Sequence, residues 1–136
     1  MKTTVICEVK ARPEGFWNAT GVIIREGDRV TVKFLHGEWR TNPHWGPVGA
    51  AGNPAYSAGG TYLLPGAPEG SLIGKVGGVN NGGGSAPFAV GGLSSIPEAL
   101  KGELWLTAND EAGAGTGNGF GDNSGSLTVE VSHEFD

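Results

Sequence analysis

The residues best suited to chemistry lie in one stretch, Asn109-Asp110-Glu111-Ala112-Gly113-Ala114-Gly115-Thr116-Gly117-Asn118-Gly119-Phe120-Gly121-Asp122-Asn123-Ser124-Gly125. Asp110, Asp122 and Asn123 offer hard side-chain oxygens. Calcium collects about six to eight such oxygens from carboxylates, amides and backbone carbonyls. Glycines help carbonyls converge, because they reach positive φ without a steric penalty. The same residue types also dominate ordinary turns, so composition alone leaves a calcium loop and a plain turn both open. A phosphate cradle does not fit. The spacing Gly115-x-Gly117-x-Gly119-x-Gly121 contains no G-x-G-x-x-G window, and a loop between two strands supplies no helix N-terminus for a phosphate. Gly70-Ser71-Leu72-Ile73-Gly74-Lys75-Val76 has Val76 where a P-loop needs Ser or Thr for magnesium.

A second stretch, Gly37-Glu38-Trp39-Arg40-Thr41-Asn42-Pro43-His44-Trp45-Gly46-Pro47, sets two tryptophans and a histidine in a polar loop. Sugar sites use such residues, since aromatic rings cover C–H faces while polar groups take hydroxyls. Trp39 is read as core, Trp45 is open between core and ligand contact, and His44 is read as a surface histidine. His36, His44 and His133 are too dispersed for a zinc motif, and neither H-E-x-x-H nor G-x-S-x-G occurs. A glycosidase needs two carboxylates at a set separation; nothing specific poses Asp110 with Asp122 or Glu111 in that way. The expectation is a protein that is not an enzyme. Asn18-Ala19-Thr20 matches a glycosylation sequon and is read as chance.

These loops need elements to position them. Period-2 apolar alternation predicts strands over 4–9, 19–25, 29–35, 71–76, 88–90, 103–108 and 126–132, with one brief helical turn over 96–101. In 29–35 it places Val30, Val32 and Phe34 on one face. Residues 37–60, 65–70, 77–87 and 109–125 read as loops, with the glycine-rich 77–87 segment as a hairpin connection. Short strands punctuated by Gly, Pro and Asn, with no helices to cross over a parallel sheet, predict an all-β antiparallel sandwich or barrel over a single domain, 1–136.

Composition narrows the classes further. The chain has 136 residues, 26 of them glycine, and a formal charge of −5. It has no strict glycine period, no apolar run long enough to span a membrane and no basic stripe for nucleic acid. Cys7 is alone, so no intramolecular disulfide can form. Glu8 interrupts what would be an apolar signal region. The expected chain is cytoplasmic as synthesised, and any release or export proceeds without a classical signal peptide.

Together the two stretches resemble the bacterial calcium-dependent galactose-binding lectins of the LecA type. That family carries N-D-x-P-G-T-[YF]-G-[ND]-N-S-G before its last strand. Here Asn109-Asp110 is followed by Gly119-Phe120-Gly121-Asp122-Asn123-Ser124-Gly125 and the strand Ser126-Leu127-Thr128-Val129-Glu130-Val131. The family's W…W-G-P segment is matched by Trp39 and Trp45-Gly46-Pro47, its G-x-[VI]-x-x-x-x-G-D pattern by Gly21 to Asp28, and its L-V-x-K-I-x strand by Leu72-Ile73-Gly74-Lys75-Val76-Gly77.

The resemblance implies a two-sheet antiparallel jelly-roll-like β-sandwich (galactose-binding-domain-like) with one Ca2+ at its end. The implied ligands are the side chains of Asp110, Asp122 and Asn123, the carbonyl of Gly119, and a carbonyl near Thr41 or Asn42. A sugar's vicinal hydroxyls would bind the same ion directly, with the acidic ligands accepting their protons. The implied sugar-contacting set is Asp110, Asp122, Gly119, Glu111, Trp45, Asn53 and Tyr56. The partners expected are a galactoside or related glycan and further copies of the chain, as a homodimer or homotetramer.

Three departures bear on that reading. Five more residues lie between Asp110 and Asp122 than in the family pattern, Ala112 replaces the family proline, and the W…W loop is three residues shorter. Aligned without gaps, the family's histidine and glutamine after W-G-P fall at Asn53 and Tyr56. The function expected is therefore a calcium-dependent lectin. Its alternative is a calcium-stabilised structural or interaction domain without sugar binding.

Overall fold

The computed structural model describes residues 1–111 and 119–136. It is an antiparallel β-sandwich. The strands in chain order are β1 (Lys2–Lys10), β2 (Asn18–Ile24), β3 (Arg29–Arg40), β4 (Asn53–Ser57), β5 (Pro68–Glu69), β6 (Leu72–Val76), β7 (Phe88–Ala89), β8 (Leu93–Ser95), β9 (Gly102–Ala108) and β10 (Ser124–Glu134). One four-stranded sheet runs β1-β10-β3-β8, the other β2-β9-β6-β7, and β4 pairs with β5 as a separate ribbon. No helix among the described residues is long and apolar enough to cross a membrane.

The core follows from the alternation. Leu127, Val129 and Val131 of β10 and Val30 and Val32 of β3 face Leu104, Leu106 and Ala108 of β9, and all are buried. β3 runs five residues past the predicted end because a bulge changes its parity. Phe34 pairs with Val129 and His36 with Thr128, which leaves Leu35 as the extra residue. The inward set therefore moves from the even positions Val30 and Val32 to Trp39, which is 1% exposed, as the core reading expected. Gly125 of the last strand lies against this extension. Its φ is +86°, and a Cβ there would sit 2.6 Å from the Glu38 carbonyl, so only glycine fits.

Three elements escaped the sequence reading. β4, β5 and β8 are short and lack clean alternation. The helical turn expected over 96–101 does not form. The Ile96 N–H donates to the Val30 carbonyl at 2.8 Å, which carries sheet pairing past β8, and only a turn-like bond from Leu100 N–H to the Pro97 carbonyl follows at 3.3 Å. The 77–87 segment is the expected hairpin connection, since β6 and β7 pair antiparallel. Its role is larger than a linker's. All of β6 is buried, Lys75 included. The Lys75 ammonium donates to the carbonyls of Val79, Gly82 and Gly83 at 2.6, 3.1 and 3.1 Å. It also lies 5.1 Å from the Trp17 ring centroid and 5.7 Å from that of Trp105. Burial lowers its pKa. The sequon residue Asn18 is structural: its side chain takes the Lys10 N–H and donates to the carbonyls of Lys10 and Leu106.

Candidate functional site

The connection from β9 to β10 leaves one sheet and enters the other, so its ends lie at the rim of the sandwich. Its first residue, Asn109, is fully buried. Its side-chain oxygen accepts the Leu64 N–H at 3.0 Å, and its amide nitrogen donates to the Leu64 carbonyl at 2.9 Å and, at longer range, to those of Pro68 and Ala67. Its backbone bonds Ser71 and Gly70. Asn109 therefore pins the 64–71 segment to the end of β9.

Asp110 follows directly and is 5% exposed. One of its carboxylate oxygens accepts the Glu111 N–H at 2.7 Å. The other, Oδ2, is buried with no hydrogen-bond partner among the described residues. Burial pushes its carboxyl up to about 6, against the lowering effect of the Glu111 N–H and the nearby Asn123 amide; the charges of Asp122 and Glu111 add to the rise.

The other end of the connection is a single 3-10 turn, Gly119–Asp122. Phe120 anchors it, buried and packed 5.5 Å from Phe16 between ring centroids. Asn123 closes the turn with its N–H on the Phe120 carbonyl at 3.2 Å. The Asn123 side chain donates to the Ala11 carbonyl at 2.9 Å. A carbonyl must face the amide nitrogen, which fixes the orientation of the group. Asn123 Oδ1 is then buried without a partner among the described residues, like Asp110 Oδ2. Asp122 is exposed. Most of the inserted 111–118 segment lies outside the described residues; Glu111 lies within them.

Gly70 joins this rim to the tryptophan loop. A Cβ on it would sit 2.7 Å from Thr41 Oγ1 and 3.3 Å from the Trp45 ring, and its φ is +75°. The glycine lets these side chains close over the backbone. Trp39 Nε1 donates to the Gly70 carbonyl at 2.7 Å, so Trp39 is both core and anchor. Trp45 is partly exposed and lies parallel to Tyr56, with an interplanar angle of 8° and centroids 6.2 Å apart. Asn42 uses its side-chain oxygen on the His44 N–H at 2.9 Å, and its carbonyl takes a long 3.4 Å bond from Trp45 N–H. Asn53 pairs across the ribbon with Glu69 and accepts the Ala55 N–H with its own Oδ1.

The structure thus gathers Thr41 and Trp45 around Gly70, with Tyr56 stacked on Trp45, and Asp110, Glu111 and Asn123 around the ends of the β9–β10 connection. The Gly70 N–H joins the two groups by donating to the Asn109 carbonyl at 2.9 Å. The sequence reading missed the 61–71 side of the site. Tyr62 donates to Glu69 at 2.8 Å, and Thr61 donates to Glu111 at 3.1 Å. Burial raises the Tyr62 pKa first, then the Glu69 hydrogen bond and the charges of Glu69, Asp110 and Glu111. This rim is acidic. Its only sequence signal is the Pro65-Gly66 turn, which says nothing about where the turn lands.

Two buried oxygens without partners among the described residues, one on a carboxylate that burial disfavours and one on an amide, are what a hard cation satisfies. Among the described residues no three His, Cys, Asp or Glu side chains converge as a metal cluster, so a centre here must draw on amide and backbone oxygens as well. Calcium accepts that mixture. His133 and His44 stand apart from it: His133 lies 2.8 Å from Asp28 and His44 is exposed. Asp28, the acid of the Gly27-Asp28 pair, caps its own turn by accepting the Arg25 N–H at 2.9 Å.

No family model matches this sequence, and no curated protein sequence matches it. Among solved structures the chain is similar to one described as the EclA N-terminal domain, a PllA-like lectin. The two align with a TM-score of 0.61 and 23% identity over 96% of each chain.

Proposed function

We propose that this chain is a non-catalytic, calcium-dependent sugar-binding domain. The observation that carries the reading is the pair of buried oxygens without a partner among the described residues, Asp110 Oδ2 and Asn123 Oδ1, on a rim that Gly70 joins to the loop bearing Trp45, whose ring stacks on Tyr56. The fold shared with a solved structure described as a lectin domain supports it. Asp110, Asp122 and Asn123 would hold the ion through side chains, with the carbonyls of Gly119 and of Thr41 or Asn42 completing the shell. Bound calcium supplies a hard cation on which two adjacent sugar hydroxyls can be ordered.

The chain's own residues do the rest. Asp110 and Asp122 accept hydrogen bonds from hydroxyls, and Glu111 lies beside them to accept another. Trp45, backed by Tyr56, covers a C–H face of the sugar. Asn109 fixes the backbone that carries Asp110 through its bonds to the 64–68 turn. The sugar class we infer is a galactoside or a related glycan with vicinal hydroxyls. Single sites of this kind bind modestly, so copies acting together as a homodimer or homotetramer would gain avidity.

One observation favours a second reading. Asn53 already satisfies its side-chain oxygen within its own ribbon, which removes an acceptor from the position aligned with a sugar contact. On that reading calcium stabilises an interaction domain that binds no sugar. A glycan array run with calcium and with a chelator separates the two. Binding lost on chelation is expected. Asp110→Ala should abolish calcium and sugar binding together while the far-ultraviolet spectrum stays that of the folded sheet. Sugar binding that survives Asp110→Ala would place the site elsewhere. A calcium-dependent rise in Tm with no glycan bound would support the second reading.

A further inference from the structure

β1 forms one edge of its sheet and pairs only with β10 among the described residues. The direction of its free hydrogen-bonding groups follows from the two ends. Met1 and Phe135 exchange both backbone bonds, at 2.6 and 2.9 Å, and Ala11 N–H donates to the Gly125 carbonyl. These pairs belong to the same register series as Thr3 with His133, Val5 with Val131 and Cys7 with Val129. In an antiparallel ladder reciprocal pairs alternate with open ones. The odd residues therefore bond β10, and Lys2, Thr4, Ile6, Glu8 and Lys10 turn N–H and C=O outward. Lys10 is capped: the Asn18 carboxamide takes both of its groups at 2.9 Å. The open edge is Lys2, Thr4, Ile6 and Glu8.

We infer that this edge joins the same edge of a second copy, antiparallel, about a two-fold axis through Val5 and perpendicular to the sheet. That register pairs Lys2 with the partner's Glu8 and Thr4 with the partner's Ile6. It uses the outward groups of all four residues on both copies. Moving the axis to Thr4 leaves Glu8 unpaired. Moving it to Ile6 sets lysine against lysine and calls on the Lys10 groups that Asn18 already holds. Charge selects the same register, because each Lys2 faces a Glu8 on the outer face. Among the described residues Glu8 otherwise holds only a 3.4 Å contact from the Ser126 hydroxyl. The apolar exposure fits as well. Val5 is 38% exposed and Ile6 57%. The axis brings Val5 against the partner's Val5 in an open pair, where side chains approach closely, and sets Ile6 beside the partner's Thr4. A long, unbulged edge is otherwise an aggregation hazard. The edge strand β2 of the other sheet is interrupted by a register shift between Ala19 and Ile23. The interface stands independently of whether the rim binds sugar.

The test is sedimentation velocity with light scattering on the full chain, over a concentration series from micromolar to millimolar. The unaltered chain should associate to dimers as concentration rises. Ile6→Pro removes an outward N–H that serves no bond within the copy and places a ring on the edge, so it should stay monomeric with an unchanged sheet spectrum. Should Ile6→Pro not fold, the charge pair decides alone. Glu8→Lys should weaken association about tenfold by setting like charges opposite one another, and adding Lys2→Glu should restore it. A chain monomeric throughout, an Ile6→Pro chain that dimerises normally, or a double variant that does not recover would each overturn the inference.

Discussion

Lys75 and Asp110 are both ionisable side chains withdrawn from water, at 2% and 5% exposure. Their surroundings are opposite in kind. The Lys75 ammonium has three protons and three carbonyl acceptors within 3.1 Å, with two indole rings beside it. Nothing is left for a ligand to supply. Among the described residues Asp110 has one oxygen bonded and one not, and the nearby Asn123 has a second unbonded oxygen. Both missing partners must be positive or donating. The contrast is sharper within the dipeptide Asn109-Asp110, where the first side chain is fully engaged and the second is not. Burial of a polar group does not mark a site; burial with one sign of partner missing does. Trp105 Nε1 and Thr107 Oγ1 also lack partners among the described residues, as the neutral Asn123 Oδ1 does; what sets the rim apart is the Asp110 carboxylate, since an unmet neutral group costs less than an unmet charge.

The comparison breaks most sharply at Lys75. Lys75→Met leaves three carbonyls without their donor in a buried loop, and should cost about 3 kcal/mol or more in urea unfolding. The loss should be the same with and without calcium. A loss below about 1 kcal/mol would mean that water replaces the ammonium and that the cage is not closed.

Asp110→Asn should act in the opposite sense. If the rim binds calcium as proposed, the ion at about a hundred times its Kd would stabilise the chain by about 2.7 kcal/mol, and the variant should lose this increment entirely. Without calcium the variant should be at least as stable as the parent at neutral pH, since a neutral amide escapes the desolvation penalty. An ion-free variant that unfolds like a core mutant would show that Asp110 is structural, as Asn109 is.

The pH dependence of the ion-free chain reads the same group. The Asp110 carboxyl is raised in the folded state to about 6, above the unfolded value near 3.9. The folded chain then holds more protons across that window, so stability should rise as pH falls from about 6 to about 4, by about 2 kcal/mol at most. Asp28 has the opposite sign. The His133 hydrogen bond, then that of Arg25 N–H, lowers its pKa, so its contribution is present above the unfolded value and is lost as pH falls through the lowered one. The two effects occupy different ranges. Thermal melts in chelator should show the rise first, then acid unfolding. With saturating calcium the rise should vanish.

The fold was legible because its longest strands alternate cleanly. β10 and the first half of β3 show which face is buried before any coordinate is known. The alternation failed at Leu35-His36-Gly37, where a bulge shifts parity, and a bulge is a property of two paired strands rather than one. At the site, Asp110 and Asn123 stood out because oxygen donors among glycines are visible in order along the chain. The 61–71 wall was not legible. The 61–71 segment reaches Asp110 through the bonds of Asn109 and through the Leu63 N–H on the Asp110 carbonyl at 3.1 Å, across a separation of some forty residues. A turn signal says that the chain reverses, not what it reverses onto. The burial of Lys75 was not legible either: no feature of its strand marks the lysine as enclosed, and the hairpin that covers it is glycine-rich enough to pass for a linker.

Trp45 gives the smallest effect and the cleanest separation of ion from sugar. It is partly exposed and stacks loosely on Tyr56, so Trp45→Ala should cost about 1 kcal/mol in stability. Its ring is not an oxygen donor, and the calcium-dependent rise in Tm should be unchanged. Glycan binding should weaken, because the apolar face of the site is gone while the acceptors stay. Isothermal titration with calcium and then with a glycan identified on the array measures both in one sample. If Trp45→Ala lowers calcium affinity as much as glycan affinity, the loop from Thr41 to Trp45 acts by holding the carbonyl ligands, and the sugar's C–H face must rest on Tyr56 or on the 111–118 segment instead.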